Sequence, residues 1–253
     1  MAANAARHSG TTDHIFAGEI FQTAVDFYTN KLGFSLVFTW GEPPTMAGVK
    51  LDNERVMMRI AVSGTHAVGK STLAEDFVEN HPKFVLEVEP YHILQEQDGI
   101  AFAAEPTQES FIIQLEYSLE RISTYEMKDN VIFDRCPLDY IAYLMYVSKR
   151  GCGATSCDHV NDLIRKAAKS IERLELIAFL PIDDGQKIMP GSDEDENFRL
   201  EVDRYFKQIY RDDSFGIFSG RQPEIVELWG NRQRRLARLE SRLKSYEDRH
   251  GRI

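Results

Sequence analysis

The sequence predicts an α/β protein in which a mostly parallel five-stranded sheet is covered by helices and preceded by a small α+β appendage. Three observations predict it. Apolar strand candidates recur in order at Val56–Val62, Phe84–Val88, Val131–Phe133, Leu176–Leu180 and Ile225–Trp229. Helical patterns separate them, at Lys70–Glu79, Glu109–Met127, Leu138–Val147, Val160–Leu174 and residues 196–211. A glycine-bracketed turn joins the first strand to the first helix. Strands alternating with helices form parallel sheets covered on both faces. Ligands in such sheets bind outside the carboxyl ends of the strands.

The chain has 253 residues, enough for one sizeable domain with a small attachment. Its formal net charge of -10 weighs against nonspecific nucleic-acid binding as the main task, though a local positive site can still take an anionic ligand. Cys136, Cys152 and Cys157 form no disulfide framework and suit a reducing compartment. The first residues lack the apolar core of a signal peptide, and no run is long enough to span a membrane, so the cytoplasm is the expected location.

Residues 1–55 read as the appendage. Val25, Phe27, Tyr28 and Leu32 mark a helix over Phe21–Leu32 that Gly33 would stop, and FSLVFTW and TMAGVKL read as strands around a GEPP turn. On Phe27, Tyr28, Leu32, Gly33 and Phe34 this segment resembles the first module of the glyoxalase and bleomycin-resistance superfamily. That resemblance implies paired βαβββ modules, and residues 15–57 hold one partial module. The segment is therefore expected to be a structural appendage or a homodimerisation surface. Neither His14 nor Glu19 is assigned a metal.

The segment Gly64-Thr65-His66-Ala67-Val68-Gly69-Lys70-Ser71 matches GxxxxGK[ST] at every fixed position, with IAVS before it and TLAEDFV after it. Glycines let the backbone wrap tightly enough for its N–H groups to converge on phosphate oxygens. The following helix N-terminus, including Thr72, adds unpaired donors and a favourable dipole. Lys70 can reach the β and γ phosphates of ATP or GTP, and the Ser71 hydroxyl can ligate Mg²⁺. His66 either lines the mouth of the loop or faces solvent.

Asp134 and Arg135 follow the apolar strand Val131–Phe133, where metal and phosphate chemistry occurs in parallel sheets. Asp134 can hold the metal or orient an acceptor hydroxyl, and Arg135 can grip phosphate with its planar donors. Asp139, near the start of the next helix, either positions substrate or favours the helix dipole. Glu87 and Glu89 share a strand face, and Glu89, nearer the carboxyl end, is the better acceptor contact. Gln114 and Glu116 can approach the same cleft.

GTHAVGKSTL, VIFDRCPLDY and VELWG together resemble the P-loop kinase-like family that includes the bacterial nicotinamide riboside kinase module. The resemblance spans about residues 57–243 and implies a three-layer P-loop kinase-like fold over residues 56–253 with Mg²⁺-dependent nucleotide binding. It places Glu89 at the family's acid after the second strand, but Pro90 and Tyr91 stand where an arginine commonly follows.

Residues 182–197 read as a polar lid that would exclude water from the transferred group. Lys187 and Arg199 are its candidate cations, and the resemblance favours Arg199. Gly230 would allow close approach of the nucleobase, while Trp229 is expected in the core. Asn231–Arg249 reads as an amphipathic surface helix with Leu236, Leu239 and Leu243 on its apolar side. Cys152, Cys157 and His159 lack a fourth partner for a zinc site. The expected function is Mg²⁺-dependent phosphoryl transfer from ATP or GTP to a small nucleoside-like acceptor. The alternative is a nucleotide-gated binding protein that hydrolyses slowly.

Overall fold

A computed structural model of the chain describes residues 14–17, 21–31, 34–41, 46–51, 57–96, 99–100, 102, 107–125, 129–149, 157–182, 196–220 and 222–250. The chain divides into two compact units, Met1–Val56 with Glu247–Ile253, and Met57–Tyr246.

In the first unit, β1 (His14–Ala17), β2 (Phe34–Trp40) and β3 (Met46–Leu51) form an antiparallel sheet of order β1-β3-β2. The helix α1 (Phe21–Asp26) runs on into a wider π turn over Phe27–Lys31, and Leu32 and Gly33 lie outside the described residues. Val25 and Ala47 are buried, whereas Leu36, Val37, Phe38 and Trp40 are exposed. The register of β2 on β3 shifts between Leu36 and Phe38.

The second unit opens with β4 (Arg59–Ser63), α2 (Lys70–Asn80), β5 (Val85–Glu87) and α3 (Pro90–Glu96). It continues with α4 (Gln108–Thr124), β6 (Val131–Asp134), α5 (Pro137–Lys149) and α6 (Cys157–Ile171). It ends with β7 (Leu176–Phe179), α7 (Glu196–Tyr210), a 3₁₀ turn at Ile217–Ser219, β8 (Glu224–Glu227) and α8 (Arg232–His250) as far as Tyr246, the last residues of α8 being counted with the first unit. The strand order is β5-β6-β4-β7-β8, and every pairing is parallel. This is a three-layer P-loop kinase-like fold with a small α+β appendage.

The two-residue period of a strand divides the sheet's side chains between two layers. Ala61, Val131, Phe133, Ile177 and Phe179 enter one core with α4, α5, α6 and α7. The alternate residues Ile60, Val62 and Ile132 are buried as well, and α2 packs on β4, β5 and β6. Burying both faces explains why Ile60–Val62 of β4, Val131–Phe133 of β6 and the whole of β7 read as unbroken apolar runs. The charged Arg59 is tolerated because Glu175 takes its guanidinium at 3.0 Å. Thr107 caps α4 in a reciprocal box with Ser110. The short helix α3, absent from the sequence pattern, starts at Pro90, whose missing N–H costs nothing in a first turn. No described helix is long and apolar enough to cross a membrane.

Trp229 departs from expectation. It is 49% exposed rather than in the core, with the Arg238 guanidinium 5.8 Å from its ring centre. Leu228, one residue earlier, takes the buried position instead.

Candidate active site

The loop between β4 and α2 is shaped by three left-handed residues, Gly64 at φ 144°, Ala67 at φ 52° and Gly69 at φ 86°. Gly64 also has no room for a side chain, because a Cβ there would stand 2.5 Å from the Leu180 carbonyl oxygen. The first glycine of the motif is thus required by β7 lying alongside β4, as well as by backbone rotation.

Three cations from three helices bind the loop's carbonyls. Lys70 Nζ donates to Thr65 O at 2.7 Å, Arg199 Nη2 to Ala67 O at 3.1 Å, and Arg235 Nη1 to Val68 O at 2.5 Å. With carbonyls occupied on that side, the peptide N–H groups are left for a ligand. Burial and then the Arg135 charge bring the Lys70 ammonium down to about 8. His66 is half-buried and stacks on Phe198 at 5.2 Å, so it lines the mouth of the loop. Burial, with Arg135, Lys70 and Arg199 adding to it, lowers its pKa to about 4, leaving a neutral ring at pH 7. Ser71, in the first turn of α2, is exposed.

Beside the loop, the parallel register sets Asp134 opposite Val62, and Arg135 N–H continues the ladder to Val62 O at 3.1 Å. Asp134 is buried, and its Oδ1 has no hydrogen-bond partner among the described residues. Arg135 holds a φ of 119°, a conformation costing a non-glycine residue about 1–3 kcal/mol that persists only where the surroundings over-determine it. They do so here. Its Nε donates to Glu89 Oε1 at 2.7 Å, and its Nη1 reaches Tyr143 Oη at 3.3 Å, Gly64 O at 3.4 Å and Asp139 Oδ2 at 3.5 Å. Burial opposes the Glu89 charge, yet Arg135 and Lys70 together hold its carboxyl below the usual range. Burial raises Asp139 to about 6, against the pull of Arg135 and Lys70.

The expected residues do not all converge. Glu87 and Glu89 take different partners: Arg121 and Tyr125 hold Glu87, at 2.6 Å each. Glu116 is exposed, and Gln114 is buried with its amide on Ser110 O. Asp139 has no exposed surface and meets Ser63 and Arg135. Lys187 and residues 183–195 of the lid lie outside the described residues, as does Cys152. No group of three metal-ligating side chains occurs among the described residues. At the far end of the loop, a cavity of about 320 Å³ is lined by Gly69, Thr72, Leu73, Gly230, Asn231, Arg232 and Arg235. Arg232 spans its rim to pair with Asp76 at 2.6 Å.

The sequence motifs do not mark Arg235, Tyr143 or Phe198. For Arg235 a signal exists: Arg235, Leu239 and Leu243 recur every four residues, and all three are buried. An arginine on an apolar stripe calls for a buried acceptor, which here is the loop.

A family model described as an AAA domain matches residues 59–235. The chain belongs to that AAA-domain family. The matched span runs from the first residue of β4 to Arg235, so it contains the loop and every cation that holds it. Among solved structures, this AAA-domain chain is similar to a deoxyadenosine kinase from M. mycoides, solved with dCMP and dCDP. That likeness is at 14% identity over 75% of this chain and 100% of that one, with a TM-score of 0.51. It is similar to a thymidylate kinase from Candida albicans at 13% identity over 76% and 93%, with a TM-score of 0.52. A NadR protein in complex with NR aligns at 15% identity over 78% of this chain and 53% of that one, with a TM-score of 0.47 that bears no weight on substrate. At such identities the likeness establishes the fold and leaves the substrate open. No curated protein sequence matches the chain.

Proposed function

We propose that this AAA-domain chain is a Mg²⁺-dependent phosphotransferase that moves a phosphoryl group from ATP or GTP to a small nucleoside-like acceptor. One observation carries the reading: Arg135 touches the phosphate loop at Gly64 O and the acidic cluster at Glu89 and Asp139 at once. A simple nucleotide binder needs the loop alone. A second charged cluster facing it supplies the place where an acceptor would stand.

In this reading the N–H groups of Gly64 through Thr72 receive the donor phosphates, and Lys70 leaves Thr65 O to contact them. The residues suit a bound Mg²⁺: Asp134 Oδ1 is buried without a partner among the described residues, and Ser71 is exposed at the first turn of α2. Bound there, the ion would supply charge neutralisation between the phosphates. Arg135 and Arg199 would stabilise the transferred group. Glu89 would accept a hydrogen bond from the acceptor hydroxyl. Asp139, being sequestered, would act through Arg135 rather than on substrate. Gly230 would border the nucleobase in the 320 Å³ cavity. Residues 1–55 would be an appendage without a complete glyoxalase-type site, and its exposed β2 would be the homodimer surface.

The deciding experiment incubates purified protein with Mg²⁺-ATP or Mg²⁺-GTP and a metabolite mixture, and looks for a product heavier by one phosphoryl group. Slow hydrolysis with no such product would reject the phosphotransferase reading in favour of a nucleotide-gated binding protein.

A further inference from the structure

A buried chain of hydroxyls links the end of α7 to the acceptor-side arginine. Tyr210, the last residue of α7, donates to Ser63 Oγ at 2.7 Å. Ser63, the last residue of β4, donates to Asp139 Oδ1 at 2.5 Å. Asp139 Oδ2 in turn faces Arg135 Nη1 at 3.5 Å. All four side chains are buried. The direction of the chain follows from its atoms. A serine hydroxyl has one proton, and with that proton on the carboxylate, Ser63 can only accept from Tyr210.

The hydroxyl of Tyr210 is separable from its packing. Its ring already rests on Phe179 at 4.7 Å and on Phe218 at 6.2 Å. Arg135, by contrast, depends on its neighbours for orientation. Only its bond to Glu89 is short, while its Nη1 contacts all lie at 3.3–3.5 Å. Of the three acceptors around Nη1, Asp139 alone is a carboxylate, so its attraction aims Nη1 together with the Tyr143 and Gly64 contacts, and Ser63 makes the short bond that holds Asp139.

We infer that Tyr210 and Ser63 are positioning residues. They fix Asp139, and through it the Arg135 guanidinium, against the phosphate loop, and they tie that orientation to the seat of α7, the helix that carries Arg199. Movement of α7 would then be felt at Arg135. The kinetic consequence rests on the phosphotransferase reading; the structural one does not.

The test uses the full chain with Tyr210→Phe, Ser63→Ala, Ser63→Thr and the Tyr210→Phe/Ser63→Ala double variant, and reads two quantities. The first is solvent exchange of the Arg135 Nη–H groups by NMR, their resonances assigned by their loss in Arg135→Lys. Exchange should quicken in Tyr210→Phe and Ser63→Ala and return toward the wild-type rate in Ser63→Thr. The second is turnover. It should fall roughly five- to thirtyfold in each single disruption, the size of one misplaced hydrogen bond, with the nucleotide KM little changed. The double variant should be no slower than Ser63→Ala alone, since the chain is already cut at Ser63. Unchanged Arg135 exchange in folded variants would overturn the inference whatever the turnover, as would losses that simply add in the double variant. A wild-type protein that transfers no phosphoryl group, yet shows the exchange pattern, would sink the functional reading and sustain this one.

Discussion

Arg135 Nε donates to Glu89 Oε1 at 2.7 Å, and this bond joins the chain leaving β5 to the end of β6 as one ionic unit beside the phosphate loop. The unit serves function only if its two members can be separated kinetically from nucleotide binding. Arg135→Lys keeps the charge and loses the planar fork. Turnover should drop by about tenfold or more, while affinity for the donor nucleotide changes little. Asp134→Asn should cut turnover further and raise the Mg²⁺ concentration needed for half-maximal rate. Steady-state kinetics with Mg²⁺ titration on folded variants checks both, and near-wild-type turnover in both would remove Asp134 and Arg135 from the site.

Lys70 should impose a pH dependence on nucleotide binding. Its ammonium titrates near 8 in the free protein because burial works against the charge. A triphosphate beside it would favour the protonated form. Affinity for ATP should therefore be nearly full at pH 7 and decline as pH rises through 8 toward 9. Lys70→Ala should bind about 10- to 100-fold more weakly, show no transfer, and lose this pH dependence. Calorimetric titration at several pH values is sufficient. A flat profile in the wild type would argue that Lys70 does not meet the phosphates.

Asp139 carries a cost to folding that should appear in stability rather than rate. Its folded-state value near 6 lies above the ordinary 3.8, so the folded protein retains a proton that the unfolded chain releases. Stability from this group is greatest at low pH and is lost as pH rises from about 4 through 6. Asp139→Asn keeps an acceptor for Ser63 and removes the titration. Between pH 5 and pH 7 the wild type should lose about 1 kcal/mol relative to that variant. Urea unfolding at the two pH values measures the difference, and a constant gap would contradict it.

Arg235 reaches Val68 O from a helix 167 positions away in sequence. Arg235→Met keeps the apolar stem and removes the donor. Nucleotide affinity should fall by about tenfold, with a stability loss of about 1–3 kcal/mol from the carbonyl left unpaired. Thermal unfolding with and without nucleotide separates the two effects. Unchanged affinity would mean the loop holds its shape without α8.

Chain 56–253, lacking the appendage, should still bind nucleotide with wild-type affinity, because the loop and its cations all lie in the Met57–Tyr246 unit. If β2 is the dimer surface, light scattering should find the full chain dimeric and this truncated chain monomeric. A monomeric full chain would dismiss the dimer and leave the nucleotide expectation standing.

The sheet and the loop are legible in sequence because their requirements are local. A buried parallel strand needs an apolar run, and a phosphate cradle needs glycines and a lysine at fixed spacing. Glu89, Asp134 and Arg135 are legible for a related reason: the ends of parallel strands collect at one edge. What escapes is whatever depends on distant pairing. Tyr210 and Ser63 are 147 positions apart, and nothing in either neighbourhood marks them as partners. The roles of Glu87 and Glu89 diverge only because Arg121 and Tyr125 of the α4 region claim the first. Trp229 reads as core by residue type, but the turn after β8 buries Leu228 and leaves the indole under Arg238.

The three cations on Thr65, Ala67 and Val68 carbonyls have a thermodynamic consequence. A loop whose outer face is already bonded is ordered when the protein folds, not when a ligand arrives. The backbone over residues 64–69 should therefore keep the same conformation in the free protein and the nucleotide complex, its N–H groups gaining exchange protection only when phosphate binds, and association should show the small heat-capacity change of a ligand entering a formed site.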